Sequence, residues 1–152
     1  MTYKRILVAV DASKTSARGL KEAIRLARDG GAKLRLLHVV EGYSLVGVPE
    51  IGANLEPILK SLRAGAAKTL AGIVRAAKRA GAQPESVLVE AIGSRVADAI
   101  VGQARRWRAD LIVMGTHGRR GVQRLMLGSD AELVVRHATM PVLLVPAVRP
   151  KR

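Results

Sequence analysis

The chain has 152 residues, enough to bury a hydrophobic core as one domain, and the core must be aliphatic, since 49% of residues are hydrophobic yet Phe is missing and only one Trp and two Tyr occur. The lack of cysteine excludes disulfides and thiolate metal sites. No apolar run approaches the roughly 18–20 residues of a membrane span, so no membrane contact is expected. The formal net charge of +14 raises the question of nucleic acid. Its distribution argues against a dedicated interface, because basic residues lie along every helical pattern and aromatic stacking platforms are almost absent.

In chain order, Met1-Thr-Tyr-Lys-Arg-Ile leads directly into a strand with no separable signal region, and the expected location is the cytoplasm. Ile6-Leu-Val-Ala-Val10 is an apolar strand ending at Asp11. Ala17, Leu20, Ile24 and Ala27 then recur at helical spacing, with Arg18, Lys21, Glu22, Arg25 and Arg28 opposite, until Gly30-Gly31 stops the helix. Leu34 to Val40 is a second strand. Glu41 to Ala53 has no periodicity and holds Gly42, Gly47, Pro49 and Gly52; such a loop is functional or mobile.

Asn54 can cap the next helix, where Pro57 fits the first turn. Its buried stripe is Leu55, Ile58, Leu59, Leu62, Ala66, Leu70, Ile73, Val74 and Ala77, and Gly81 ends it. Val87 to Ile92 is a third strand, and Gly93-Ser94 turns into a helix with the stripe Val96, Ile100, Ala104 and Trp107. Trp107 reads there as a core anchor rather than a stacking surface. Asp110 opens a fourth strand, Leu111-Ile-Val-Met114. Ala131 to Ala138 is a short helix, Pro141 to Pro146 holds a fifth strand, and 147–152 is a short basic tail beyond a domain spanning 1–146. Five strands alternating with four helices predict a parallel sheet in a three-layer open α/β sandwich with a Rossmann-like core.

The most informative segment joins the fourth strand to the last helix. It reads Gly115, two residues, Gly118, nine residues, then Gly128-Ser129. Glycines at the carboxyl end of a strand let backbone N–H groups approach an anion, and a helix beginning after them adds its partial positive end. Arg119, Arg120 and Arg124 in the same loop could neutralise phosphates, or form a solvated basic loop. Ser129 and Glu132 also fit a Ser-x-x-Glu capping box, and Asp11 fits a turn closing before a Ser13 cap.

From about Tyr3 to Val145 the chain resembles the ATP-binding branch of the universal stress protein family. The resemblance implies the fold class named for adenine nucleotide alpha hydrolases, with the first and fourth strands adjacent at the switch point. It places Ala9 and Asp11 at adenine and ribose, with Val10 between them. It places Val39 where second-strand backbone meets the base, and Met114, Gly115, Thr116, His117, Gly118 and Arg119 on the adenosine and phosphate loop. Gly128, Ser129 and Asp130 fall on a second phosphate contact. Asp130 departs from the family pattern of a small or apolar residue there, and a carboxylate beside phosphate repels it.

The P-loop and Gly-x-Gly-x-x-Gly signatures are absent, as are the signatures of adenylate-forming relatives on a similar fold. His117 is the one loop group able to shuttle a proton, and no partnered base is apparent. The expectation is a regulatory protein, not an enzyme. It binds ATP, with Mg²⁺ as the nucleotide's companion, and acts through nucleotide-dependent conformation on an unidentified protein partner. The apolar strand at 141–146, if left at a sheet edge, predicts a homodimer, as in many relatives. The alternatives are a non-nucleotide family member acting by protein contact, and a basic nucleic-acid binder.

Overall fold

A computed structural model describes residues 2–42, 55–117 and 127–147. Strand and helix alternate throughout: β1 (Arg5–Ala9), α1 (Lys14–Gly30), β2 (Lys33–Glu41), α2 (Leu55–Arg79), β3 (Glu85–Ala91), α3 (Val96–Trp107), β4 (Leu111–Gly115), α4 (Ser129–His137) and β5 (Val142–Val145). The strands form one parallel sheet in the order β3-β2-β1-β4-β5. Ile6 of β1 stands between Leu34 of β2 and Leu111 of β4. The chain therefore winds outward from β1 in one direction and then crosses back to β4, which makes the β1–β4 boundary the switch point of the sheet.

Side chains of a strand alternate between faces, and here both faces are apolar. Ile6, Val8 and Val10 meet Leu20, Ala23 and Ile24 of α1 and Leu70 and Ala77 of α2. Leu7 points the other way, into a cluster with Ile100, Val101 and Ala104 of α3 and Ala131 and Val134 of α4. The expected three-layer sandwich follows from that alternation. Trp107 is half-buried against the second cluster, and the Arg35 guanidinium lies 4.5 Å from its ring centroid. It is thus a core anchor with a cation stacked on it.

The punctuation of the elements is local chemistry. Ser13 caps α1 by accepting from the Ser16 N–H, and Gly31 closes that helix in the left-handed conformation at φ 64°. At the amino end of the sheet, the Asp110 carboxylate accepts from the Lys4 N–H (2.8 Å) and the Arg5 N–H (3.0 Å), tying the start of β4 to the start of β1.

Several expectations shift, β3 among them, since it runs Glu85–Ala91 rather than Val87 to Ile92. β1 ends at Ala9, although the Val10 N–H still donates to the Leu37 carbonyl at 2.9 Å. β2 runs on through Glu41, held by its neighbour β3, so the irregular segment begins later than residue 41. Leu62, expected in the buried stripe of α2, is 37% exposed because it lies on a cavity wall rather than over the sheet. The N-cap of α4 is Gly128, and Ser129 is already helical, so Ser129 and Glu132 do not form the capping box. Residues 43–54, including the Asn54 cap, lie outside the described residues.

The two sheet edges differ. On β3, Glu85 pairs with Arg35 and Glu90 with Arg63. On β5, Val142, Leu143 and Leu144 are half-buried and Val145 is buried.

Candidate functional site

All five strands are parallel, so their carboxyl ends share one edge, and the N-termini of the helices that follow them open onto it. A cavity of about 630 Å³ lies there, at the switch point. Ala9, Val10 and Asp11 enter from the end of β1, and Val39 from β2. Met114, Gly115 and His117 enter from β4 and its loop, and Gly128, Ser129 and Asp130 from the start of α4. Thr116 is not on the cavity wall, while Gly118 and Arg119, with Arg120 and Arg124, lie outside the described residues.

Much of this edge is locked by its own hydrogen bonds. The Asp11 carboxylate accepts from the Ser13 N–H at 2.9 Å, and the Asp11 N–H donates to Ser16 Oγ at 3.0 Å. Asp11 therefore does close the turn ahead of the cap. Ala12, inside that turn, is left-handed at φ 64°, a conformation that costs a residue with a Cβ about 1–2 kcal/mol. Thr15 is buried and donates from Oγ1 to the His117 carbonyl at 2.5 Å, so α1 holds the loop after β4.

The loop's base is pinned twice more, by the Thr116 N–H on the Val145 carbonyl (3.1 Å) and the Gly128 N–H on the Thr116 carbonyl (2.8 Å). Those contacts explain two of the glycines. A Cβ on Gly115 would stand 2.6 Å from Thr15 Oγ1 and 3.0 Å from the Thr15 carbonyl carbon, and one on Gly128 would stand 3.0 Å from the Thr116 oxygen. Close packing thus demands glycine at 115 whether or not an anion binds. Thr116 Oγ1 and His117 Nδ1 are buried and meet no hydrogen-bond partner among the described residues.

Sequence reasoning missed His38, Glu41 and Ser16, which also line the cavity, with Leu37, Val96, Ile100 and Ala131 as apolar wall. His38 is only 4% exposed, and its Nδ1 lies 2.6 Å from the Val10 carbonyl. A carbonyl only accepts, so Nδ1 is the donor of this hydrogen bond. Glu41 could have been noticed as a second acid at a strand's carboxyl end. His38 gave one signal, a polar residue inside an apolar run.

The electrostatics run against the +14 of the whole chain. Among the described residues lining this cavity, Asp11, Glu41 and Asp130 are acids and none is Lys or Arg. The Asp130 carboxyl is pushed above its ordinary value, chiefly by burial and then by the charges of Glu41 and Asp11. A helix N-terminus favours a carboxylate, but here desolvation and like charge outweigh it. No group of His, Asp or Glu among the described residues is arranged to hold a metal ion.

The match to a family model is decisive: residues 2–146 fit the universal stress protein family. The chain belongs to that family. A universal stress protein of Methanocaldococcus jannaschii is 35% identical to it over 150 residues, covering 99% of this chain and 85% of that protein. Among solved structures, the universal stress protein UspA from Lactobacillus plantarum superposes with a TM-score of 0.81 at 26% identity, covering 95% of this chain and 99% of that one. The universal stress protein from Archaeoglobus fulgidus, solved in complex with dAMP, has a TM-score of 0.67 at 28% identity, covering 95% of this chain and 99% of that one. The fold expected from resemblance is the fold of this universal stress protein. No helix among its described residues is long and apolar enough to cross a membrane.

Proposed function

We propose that this universal stress protein binds an adenine nucleotide, ATP with Mg²⁺ included, at the carboxyl edge of its sheet, and that it acts as a regulatory protein and not as an enzyme. The observation that carries the reading is convergence. Residues from the ends of β1, β2 and β4 and the start of α4 line one cavity of about 630 Å³, within the range of small-molecule sites. In this reading Ala9, Val10 and Val39 hold the base, Asp11 accepts from the sugar, and Met114, Gly115, His117, Gly118 and Arg119 with Gly128, Ser129 and Asp130 meet the phosphates, Thr116 lying off the cavity wall. His38, on the cavity wall with its Nδ1 held by the Val10 carbonyl, adds a polar side chain beside the base. The dAMP complex of the Archaeoglobus fulgidus relative supports an adenosine-shaped ligand. Since the described residues offer no metal-holding group, Mg²⁺ would arrive on the nucleotide's own phosphates.

Calorimetric titration of nucleic-acid-free protein with AMP and with Mg-ATP tests the reading. One ligand per chain at micromolar affinity is the expected result. No heat at millimolar concentration of either would overturn it and leave a family member acting by protein contact alone. Phosphate release from ATP should not exceed that of a Gly118→Arg variant. The bound nucleotide is the signal, changing the surface presented to a protein partner, in the cytoplasm. Strand β5 at the sheet edge supports a homodimer through residues 141–146, which light scattering at micromolar concentration would refute by giving a monomer mass.

A further inference from the structure

Sequence spacing puts cations on every helix, but the fold sorts them by layer. The helices α1 and α2, which cover one face of the sheet, carry eleven Lys and Arg against three acids, Glu22, Asp29 and Glu56. The helices α3 and α4, which cover the other face, carry three Arg against three acids. The chain outside the described residues holds a single acid, Glu50, against an excess of eight cations on the α1/α2 layer.

The cations are also aligned. In α1 they are Lys14, Arg18, Lys21, Arg25 and Arg28, in steps of four and three that keep all five opposite buried Leu20, Ala23 and Ile24. All five are exposed, a ridge about 21 Å long. In α2, exposed Lys68, Arg75 and Arg79 stand likewise opposite buried Ala66, Leu70 and Ala77. Acids engage Arg25, through Glu22 and Asp29, and Arg63, through Glu56 and Glu90. Lys14, Lys21 and Arg28 on one ridge and Lys68, Arg75 and Arg79 on the other form no ion pair among the described residues.

The composition of the layer narrows the partner. Neither helix contains Phe, Tyr or Trp, on which the bases of a single strand would stack. Proteins that lie on a bilayer add apolar side chains to their cations, but Leu62, the one exposed large apolar side chain of these two helices, lies on a cavity wall. The two helices pack on one cluster, and the axes of packed helices lie about 8–10 Å apart. That is the scale of a duplex groove, about 6–12 Å wide, whose borders are two phosphate strands.

We propose that the outer face of the α1/α2 layer binds the phosphate backbone of a nucleic-acid duplex without reading its sequence, a function separate from the nucleotide cavity. Lys and Arg placed on phosphates release condensed counterions, so such binding is tight at low salt and steeply salt-dependent.

Fluorescence anisotropy of the full chain with labelled DNA duplexes of two unrelated sequences, about 24 base pairs each, tests this across a salt series. One variant combines Lys14→Gln, Lys21→Gln and Arg28→Gln, and a second combines Lys68→Gln, Arg75→Gln and Arg79→Gln. A control takes the same charge from exposed positions at α3 and α4, as Arg95→Gln, Arg106→Gln and Arg136→Gln. Thermal melts establish that all three fold. Wild type is expected to bind both duplexes alike, with micromolar affinity at about 100 mM salt. Each ridge variant should bind at least about tenfold more weakly, with the slope of log K against log salt flattened by about two to three, while the control stays within about threefold. The proposal is overturned if wild type fails to bind at about 50 mM salt, or if the control loses as much as the ridge variants. It is equally overturned if millimolar AMP displaces the duplex, which would seat it at the carboxyl edge. Tighter binding of a single strand, or binding to phosphatidylserine vesicles without binding to duplex, would overturn it in favour of those partners.

Discussion

Two aspartates at opposite ends of the sheet, Asp110 and Asp130, make an instructive pair. Asp110 receives two backbone N–H groups, from Lys4 and Arg5, and its neighbourhood is satisfied by the fold itself. Asp130 is half-buried, and the charges that shift it are those of two other acids. The first arrangement stabilises the protein and asks for nothing further. The second works against the folded state, and such arrangements persist where a site has another task. The amino edge of this sheet is built to hold, and the carboxyl edge is built partly at the expense of holding.

The sharpest way to break that division is at Gly115, a cavity residue whose identity is dictated by packing. Gly115→Val drives a Cβ into Thr15 and should destabilise the protein by about 1–3 kcal/mol in denaturant titration, with or without nucleotide present. Next in size is Asp110→Ala. It strips the acceptor from two N–H groups at a partly exposed strand start and should cost about 1–2 kcal/mol by the same measurement. If Asp110→Ala is neutral, the contrast between the two edges is lost.

Ala12→Gly should move the other way, gaining up to about 1 kcal/mol by releasing the left-handed strain at φ 64°, less the entropy glycine adds to the unfolded chain. Asp130→Asn has the smallest expected effect, and its sign is the point. A carboxyl held above its ordinary 3.8 binds its proton more tightly in the folded than in the unfolded chain. The stability from that protonation is full below 3.8 and is lost as pH rises through the folded value. The Asn variant should therefore have the higher Tm at about pH 7, with the difference vanishing under acid conditions. A wild type more stable than the variant at neutral pH would mean that Asp130 is served by the fold after all.

Much of the fold was readable from periodicity, because both faces of the sheet are apolar and each helix carries one clear stripe. The boundaries that moved were those set by tertiary partners. β2 continues through Glu41 because β3 lies beside it, and α4 starts at Ser129 because Gly128 is caught against Thr116 and His117. At the site, the glycine spacing marked the loop but could not show the packing demand at Gly115, which answers to Thr15 on a helix about a hundred residues earlier in the chain. His38 gave only the signal of a polar residue in an apolar run, because its partner, the Val10 carbonyl, comes from another strand's end. Nor could spacing alone show that Asp11, Glu41 and Asp130 converge, because they come from three separate elements.

The unequal edges of the sheet carry a last consequence, for assembly size. A strand bordered by Glu85 and Glu90, each engaged by an arginine, offers an arriving strand a row of charge to displace. The β5 edge, Val-Leu-Leu-Val, offers none. On the pairing through β5 proposed above, growth of the sheet from copy to copy would be open at one end and closed at the other. Two copies meeting open end to open end would leave only closed ends outward, a built-in chain terminator that separates a finite pair from a fibre.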